Sequence, residues 1–244
     1  MKKTRGLLLL VASLSLLGGC SNTTHHASAD FVPPSRDYKM VVMRPQADVG
    51  VLTAGGGLEH REDWSEQATA NLIVALQNAQ HQRGGRATVA ATDREAGGRP
   101  GQVAQLNRLH EAVGRSIRLH KYNPGLELPT KKNVFDWTLG ESAVDYGRAS
   151  GYDYALFLFA SDSFSSGGRV ALQAVSMLGC VVGVCYIPPG GQQIAFVSLV
   201  DLSTGRVVWY NFLLKGTGDI RTHEGAQDMV DELLADMKSP ANRS

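Results

Sequence analysis

A nearly continuous apolar run, residues 152–160, restricts the fold more than any other segment of this chain. The run reads Tyr-Asp-Tyr-Ala-Leu-Phe-Leu-Phe-Ala and has the length of a single β-strand. An apolar run without strict alternation is typical of a strand that is covered on both faces. We therefore expect residues 152–160 to form a central strand with both faces covered.

The segments on either side of this run predict a mixture of helices and further strands. Asp63 and Glu66 have the spacing of a capping box at the start of the first helix, and Thr222 has the position of a cap on the last. The remaining predicted elements are strands at residues 40–43, 49–52, 87–90, 170–178, 194–200 and 206–214, and helices at residues 63–79, 103–117 and 136–150. This order predicts one α/β sandwich domain at residues 39–238, with a mixed, largely antiparallel sheet, flanking helices and a disordered tail at residues 239–244.

The N-terminus has the pattern of an export signal. Lys2, Lys3 and Arg5 precede an uncharged run of 11 residues, 7–17, which is too short to cross a bilayer core of about 30 Å as a helix. The run ends in Leu17-Gly18-Gly19-Cys20, which resembles the bacterial lipobox at each position. The alternative is an ordinary secretory signal followed by a chance cysteine.

The lipobox resemblance implies a lipid-anchored mature protein. Residues 1–19 would be removed, and Cys20 would carry a diacylglyceryl thioether, with palmitate as a typical chain, and an acylated amine. Several acyl chains hold a protein firmly to a membrane. Ser21, in place of aspartate, implies the periplasmic face of the outer membrane. Residues 20–38 are rich in Ser, Thr, His, Asp and Pro and predict a lipidated tether.

The charge of the mature chain gives no reason to expect nucleic acid as a partner. Removal of residues 1–19 takes away three of the 24 basic residues and none of the 23 acidic ones, so the formal charge becomes 21 − 23 = −2. A chain with this balance has no net basic field to attract a polyanion.

Two cysteines remain in what would be an oxidising compartment. Cys180 and Cys185 lie five residues apart, which is compatible with a disulfide that closes a tight turn. Their spacing differs from Cys-x-x-Cys, and no histidine is near in sequence, so neither a redox pair nor a metal site is indicated. We favour the disulfide over two buried thiols.

A family likeness appears in residues 146–211. Arg148-Ala149-Ser150-Gly151-Tyr152-Asp153-Tyr154 leads into the apolar strand, and residues 197–209 read Val-Ser-Leu-Val-Asp-Leu-Ser-Thr-Gly-Arg-Val-Val-Trp. Both passages resemble a group of envelope proteins that includes the CsgG-type curli-secretion lipoprotein, the TolB amino-terminal domain and the lipoprotein activator of a peptidoglycan synthase. The resemblance implies their fold and a tendency to bind envelope proteins or other copies of the chain. It carries over no catalytic residue.

The hairpin within this tract gives specific expectations. Residues 201–205, Asp-Leu-Ser-Thr-Gly, have good turn chemistry between two apolar runs. We expect Gly205 to adopt a left-handed conformation and Trp209, on the following strand, to be mostly buried.

The sequence has no complete catalytic or cofactor-binding motif. Gly55-Gly56-Gly57 follows a strand and precedes a helix, but it lacks the Lys-Ser/Thr of a phosphate loop, which favours a flexible loop that could bind a ligand. The sequence contains neither Gly-x-Ser-x-Gly nor His-Glu-x-x-His. We therefore predict no catalytic residues, no cofactor, no metal site and no enzymatic activity.

The segment at residues 170–187 is the remaining anomaly, because its 18 residues include no charge. We rank a buried strand followed by an apolar contact loop first, a membrane-inserting hairpin second and a spanning helix third. The contact residues expected in that loop are Val181, Val182, Val184, Tyr186 and Ile187. Two functions follow: a protein-binding or scaffold lipoprotein in envelope biogenesis, or a subunit of a curli-type secretion or pore assembly that inserts an apolar hairpin.

Overall fold

A computed structural model describes residues 22–27, 38–83, 87–181, 183 and 185–237 of the 244-residue chain. For residues 22–27 and for Val181 it describes the backbone alone. The signal peptide predicted at residues 1–19, the lipidation predicted at Cys20 and the tail predicted at residues 239–244 lie outside the described residues.

The described residues contain eight strands and five helices. In chain order they are β1 (Asn22–Ala27), β2 (Met40–Val42), β3 (Gln46–Leu52), β4 (Leu58–His60), α1 (Glu62–Gln82), β5 (Ala87–Val89), α2 (Gln102–Lys121), α3 (Glu141–Ser150), β6 (Tyr154–Ser165), α4 (Gly167–Val181), β7 (Gln193–Asp201), β8 (Val207–Lys215) and α5 (His223–Leu234).

Strand β6 lies in the middle of the sheet, as the apolar run predicts. It pairs antiparallel with β7 on one side and parallel with β2 and β3 on the other. The sheet order is β1-β8-β7-β6-β2-β5, with β3 on β6 and β4 on β3. Side chains of β6 alternate between two cores, because Leu156 and Leu158 belong to one and Phe157 and Phe159 to the other. The α/β class with a mixed sheet is therefore confirmed.

Two pairs of helices cover the two faces of the sheet. Leu72 of α1 and Met229 of α5 pack in the first core, and Leu106 of α2 and Tyr146 of α3 pack in the second. All four side chains are fully buried or nearly so. Burial of such a side chain contributes about 1.5–3 kcal/mol, so the two helical layers hold the sheet between them.

The predicted hairpin between β7 and β8 is present. The two strands pair antiparallel around residues 201–205, and Asp201 closes the turn by accepting a hydrogen bond from the Ser203 backbone N–H at 2.8 Å. Gly205 has φ +71°, in the left-handed region, and Trp209 is buried. Each of these expectations from the sequence is confirmed.

The tether predicted at residues 20–38 contains a strand. β1 pairs antiparallel with β8, from Asn22 opposite Leu214 to Ala27 opposite Trp209. The tether prediction therefore does not hold for residues 22–27. An edge strand is held by main-chain hydrogen bonds to the neighbouring strand, and these leave little trace in the side-chain composition from which the tether was predicted.

The strand predicted at residues 170–178 is wrong, because α4 spans Gly167–Val181. Its β-branched residues and glycines favour a strand by composition. The helix nevertheless begins after Ser166, whose side-chain oxygen accepts a hydrogen bond from the Arg169 backbone N–H at 3.1 Å. This arrangement is a helix N-cap, which satisfies one of the otherwise unpaired N–H groups of the first turn.

Two smaller expectations also change. Helix α3 begins at Glu141 instead of residue 136, because Gly140 has φ +65° and cannot continue a right-handed helix. The capping box at Asp63 is absent; Arg61 is the N-cap of α1, and Asp63 forms an ion pair with it at 3.1 Å. Within the described ranges, no helix is both long enough and apolar enough to cross a membrane.

Candidate functional site

Helix α4 stands apart from the two cores. It follows the C-terminal end of β6, at the end of the sheet where Asp162 pairs with Gln193 at the start of β7. An end of the sheet is a side at which the strands terminate, as distinct from an edge strand. None of its described residues belongs to either core. Helix α4 is therefore attached to the domain by contacts other than apolar packing.

Polar side chains attach α4 to the domain. Arg169, which is 7% exposed, donates from Nε and Nη2 to the Pro189 carbonyl oxygen at 3.1 and 2.8 Å and from Nη1 to the Ala54 carbonyl oxygen at 3.2 Å. Gln173 donates from Nε2 to the Pro188 carbonyl oxygen at 3.0 Å. These two residues are four apart and lie on the same side of the helix. The polar side of α4 thus faces the protein.

The apolar side of α4 faces solvent. Val175, Met177 and Leu178 are 65%, 61% and 70% exposed, and Tyr186 in the following loop is 73% exposed. We call the exposed apolar residues of this region the α4 surface, which consists of Val170, Leu172, Val175, Met177, Leu178, Tyr186 and Ile187. This polarity is the reverse of an ordinary surface helix, which buries its apolar side.

The α4 surface is also concentrated in one place. In the part of the chain that the structure describes, 11 large hydrophobic residues are exposed, and seven of them belong to this surface. Scattered exposed apolar residues need no explanation, whereas a contiguous group marks a site of contact with protein or membrane.

The loop after α4 is fixed to the domain at both ends. A disulfide joins Cys180 in the last turn of α4 to Cys185, so the predicted pairing is present. At the other end, a Cβ atom on Gly191 would lie 1.9 Å from the Ser163 carbonyl oxygen, so only glycine permits this approach to β6. The Ser165 hydroxyl oxygen also accepts a hydrogen bond from the Gly191 N–H at 3.1 Å.

The predicted contact residues divide between described and undescribed positions. Tyr186 and Ile187 are exposed and belong to the α4 surface. Val182 and Val184 lie outside the described residues, as does the side chain of Val181.

The glycine-rich loop has a different setting from the expected one. Gly55, Gly56 and Gly57 lie in the turn that joins β3 to the antiparallel strand β4. A phosphate loop leads from a strand directly into a helix, so this turn does not have that geometry. Its neighbour Ala54 instead provides a carbonyl acceptor for Arg169.

Arg169 and Gln173 were not predicted as important from the sequence, although a signal was present. Arg169, Gln173 and Ser176 recur at helical spacing, and Arg169 is the last charged residue before the uncharged segment. The apolar content of the segment hides this polar period, because most helices are recognised by the period of their apolar residues.

One buried carboxyl lies near the start of α4. Asp162 is 2% exposed, and its Oδ2 accepts hydrogen bonds from Gln193 Nε2 at 2.8 Å and from the Ile220 N–H at 3.2 Å. Burial raises the pKa of Asp162 to about 6. The residue also lines a cleft of about 210 Å³ between the end of β6 and residues 216–218. Its two donors explain its position without a ligand.

His110 is buried within the second core. Its ring stacks on Phe157 with centroids 5.1 Å apart, and its Nε2 lies 2.9 Å from the Ser198 hydroxyl oxygen. Burial lowers the pKa of His110 to about 3, so the imidazole is neutral at ordinary pH. This histidine is a packed core residue.

A larger cleft, of about 560 Å³, lies at the opposite end of the sheet, where β6 starts and β7 terminates. Tyr152 and Tyr154 line it together with Asp153 and Asp201. Both carboxylates are already occupied, since Asp153 accepts a hydrogen bond from the Lys39 N–H at 2.7 Å and Asp201 accepts one within its own turn. Across the described ranges, no group of three or more His, Cys, Asp or Glu side chains could hold a metal ion.

Known proteins resemble this chain only loosely. Neither a protein-family model nor a curated protein matches it. Among solved structures, the PelC dodecamer from Paraburkholderia phytofirmans is similar at 13% identity and a TM-score of 0.39, over 88% of this chain and 96% of that chain. A variant of the same PelC gives 12% identity and a TM-score of 0.40, over 90% and 99% of the two chains.

The LpoB C-terminal domain from Salmonella enterica is also similar, at 16% identity and a TM-score of 0.27, over 85% of this chain and 92% of that chain. The resemblance of residues 146–211 to envelope proteins is a separate observation, made from the sequence alone. Likenesses at these TM-scores do not establish a family, so that resemblance stays a prediction.

Proposed function

We propose that this protein is a lipid-anchored binding module on the periplasmic face of the outer membrane and that the α4 surface is its contact with the envelope. The lipobox at residues 17–20 supports the anchor. The reversed polarity of α4 carries the proposal for the surface. Arg169 and Gln173, on the polar side of the helix, form hydrogen bonds with the domain, so the apolar side is left facing outward. The exposed apolar side then needs a covering partner.

The proposed role is non-catalytic. In the described part of the chain, the buried carboxyl of Asp162 and the buried imidazole of His110 are held by structural partners and do not converge on a common cleft. A binding or scaffold role in envelope biogenesis requires only the anchor and the contact surface.

The second candidate function, a curli-type assembly that inserts an apolar hairpin, receives less support. Residues 167–181 form a helix, so the expected apolar hairpin is not the structure of this segment. The mass of the detergent-extracted particle separates the two functions: a monomer or dimer supports the binding module, and a large ring supports the assembly.

Thiol labelling in the native envelope tests whether the α4 surface is covered. We expect Val175→Cys to react with a water-soluble maleimide in the purified, detergent-free domain but to be protected in intact envelopes. Ser203→Cys, on the exposed turn at the opposite end of the sheet, is the matched control and should react both in the purified domain and in intact envelopes. Equal labelling of the two positions in envelopes would contradict the proposal.

A further inference from the structure

The register of the sheet places the start of β1 at the same end of the sheet as α4. Asn22 pairs with Leu214, Leu214 pairs with Ile194, and Ile194 pairs with Ser161. This line crosses from β1 to β6 in three strand intervals, or about 14 Å. Strand β6 ends at Ser165, and α4 begins two residues later at Gly167.

The length of the chain limits how far a lipid on Cys20 could lie from this end of the sheet. Cys20 is two residues before Asn22, and two residues of fully extended chain span at most about 7 Å. Acyl chains on Cys20 would therefore bring the bilayer to the end of the sheet that carries the α4 surface.

We propose that the apolar side of α4 lies in the interfacial region of the same bilayer, as a second membrane contact beside the lipid anchor. This inference rests on the proposed function, because it takes the bilayer to be the component of the envelope that covers the α4 surface.

The chemistry of the surface fits lipid. Residues 170–187 carry no charge, and the only charged residue of α4, Arg169, is turned into the domain. A 15-residue helix is about 22 Å long and can lie in the membrane plane with one side inserted about 5–10 Å. Since the exposed side has no basic residues, its insertion should depend little on anionic lipid or on salt.

A second contact changes what the anchor does. Acyl chains alone hold the domain near the membrane but leave it to rotate about the chain that connects them. With α4 inserted, the end of the sheet at which β6 terminates and β7 starts faces the bilayer. The opposite end of the sheet, with the turn at residues 201–205, then faces the periplasm.

Depth-dependent fluorescence quenching in vesicles tests the inference. The acylated full-length mature protein would carry a nitrobenzoxadiazole fluorophore on Val175→Cys or, as the control, on Ser203→Cys. The vesicles would contain phosphatidylethanolamine, phosphatidylglycerol and lipid that is spin-labelled on its acyl chain. We expect strong quenching and a blue shift at position 175, retained in high salt, and neither effect at position 203.

Two outcomes would overturn the inference. One is equal quenching at both positions. The other is a fluorophore at position 175 that is shielded from aqueous iodide but not quenched by the spin-labelled lipid, which identifies a protein as the occupant. That second outcome leaves the proposed function intact, whereas an intact mass without lipid on Cys20 would refute the proposed function itself.

Flotation of the unacylated chain gives a second measurement. In a mature Cys20→Ser chain, the double variant Val175→Asp, Leu178→Asp should bind vesicles at least about tenfold more weakly, because two large apolar side chains are lost from the contact. The double variant Val74→Asp, Leu119→Asp, which places the same two charges on exposed apolar residues of α1 and α2, is the matched control and should bind as the parent chain does. Equal binding of all three chains would contradict insertion of α4.

Discussion

Asp162 makes the stability of the domain depend on pH in a predictable direction. Burial raises its pKa from the usual 3.8 to about 6, so between these values the folded state holds a proton that the unfolded chain has released. Stability from this residue is therefore fully present below pH 3.8 and falls as the pH rises through 6. The loss above that range is up to about 3 kcal/mol.

Asp162→Asn should remove this loss. The amide oxygen can accept the hydrogen bonds from Gln193 and Ile220 without a charge. In denaturant unfolding, we expect the variant to match the wild-type protein below pH 3.8 and to exceed it in free energy of unfolding above pH 6. Identical pH profiles for the two proteins would show that Asp162 is not buried as described.

Gly205 is fixed both by its backbone conformation and by a close contact. It has φ +71°, and a Cβ atom would lie 2.5 Å from the Gly140 carbonyl oxygen. Gly101 has φ +76° with no heavy atom within 4 Å of a Cβ atom, so it separates the two effects. We expect Gly101→Ala to cost about 1–2 kcal/mol and Gly205→Ala clearly more, as measured by thermal unfolding. Equal costs would argue against the contact with Gly140.

At the scale of elements, Arg169 makes three of the four side-chain hydrogen bonds described above that attach α4 to the domain. Arg169→Met keeps the length of the side chain but leaves the Pro189 and Ala54 carbonyl oxygens without their donor. We expect local opening of α4 to become easier by about 1.5–3 kcal/mol, visible as faster amide hydrogen exchange in this helix.

Arg148→Met is the control for this substitution. Arg148 forms an exposed ion pair with Asp145 at 3.3 Å, and such pairs contribute about 0–1 kcal/mol. Its loss should leave exchange in α4 unchanged. If Arg169→Met also left that exchange unchanged, the apolar side of α4, and not Arg169, would hold the helix.

The sequence predicted those elements whose side chains report their surroundings. The run that became β6 is apolar because both of its faces are buried, with Leu156 in one core and Phe157 in the other. The turn at residues 201–205 was recognisable because Asp201 and Gly205 are needed for its hydrogen bonds and its left-handed backbone. In both cases, the local physics and the position in the fold agree.

The predictions that fail at residues 22–27 and 170–178 concern elements whose position depends on other constraints. The apolar residues of α4 point away from the domain, so their pattern does not reflect packing in either core. β1 is held by the edge of β8 through its backbone, which composition does not reveal. Tyr186 and Ile187, in the loop after this segment, are exposed as expected, and their role in contact stays a prediction.

For the whole molecule, the sheet provides a direction. Asn22 and α4 lie at one end of the sheet, and the cleft lined by Tyr152, Tyr154 and Asp201 lies at the other end. If the first end faces the membrane, the cleft is the part of the domain presented to the periplasm. The same β-strands that carry the two cores therefore also connect these two ends of the sheet.

Cys20→Ser should separate membrane attachment from folding. Cys20 precedes β1, which begins at Asn22, so no described hydrogen bond of the sheet depends on it. We expect the variant, produced as the mature chain, to unfold at the same temperature as the wild-type domain. In cells, its precursor should remain uncleaved or the protein should appear in the soluble fraction. Intact mass of the wild-type protein decides the premise: a mature chain that begins elsewhere than Cys20, or that carries no lipid there, would contradict the anchor and leave α4 without its neighbouring bilayer.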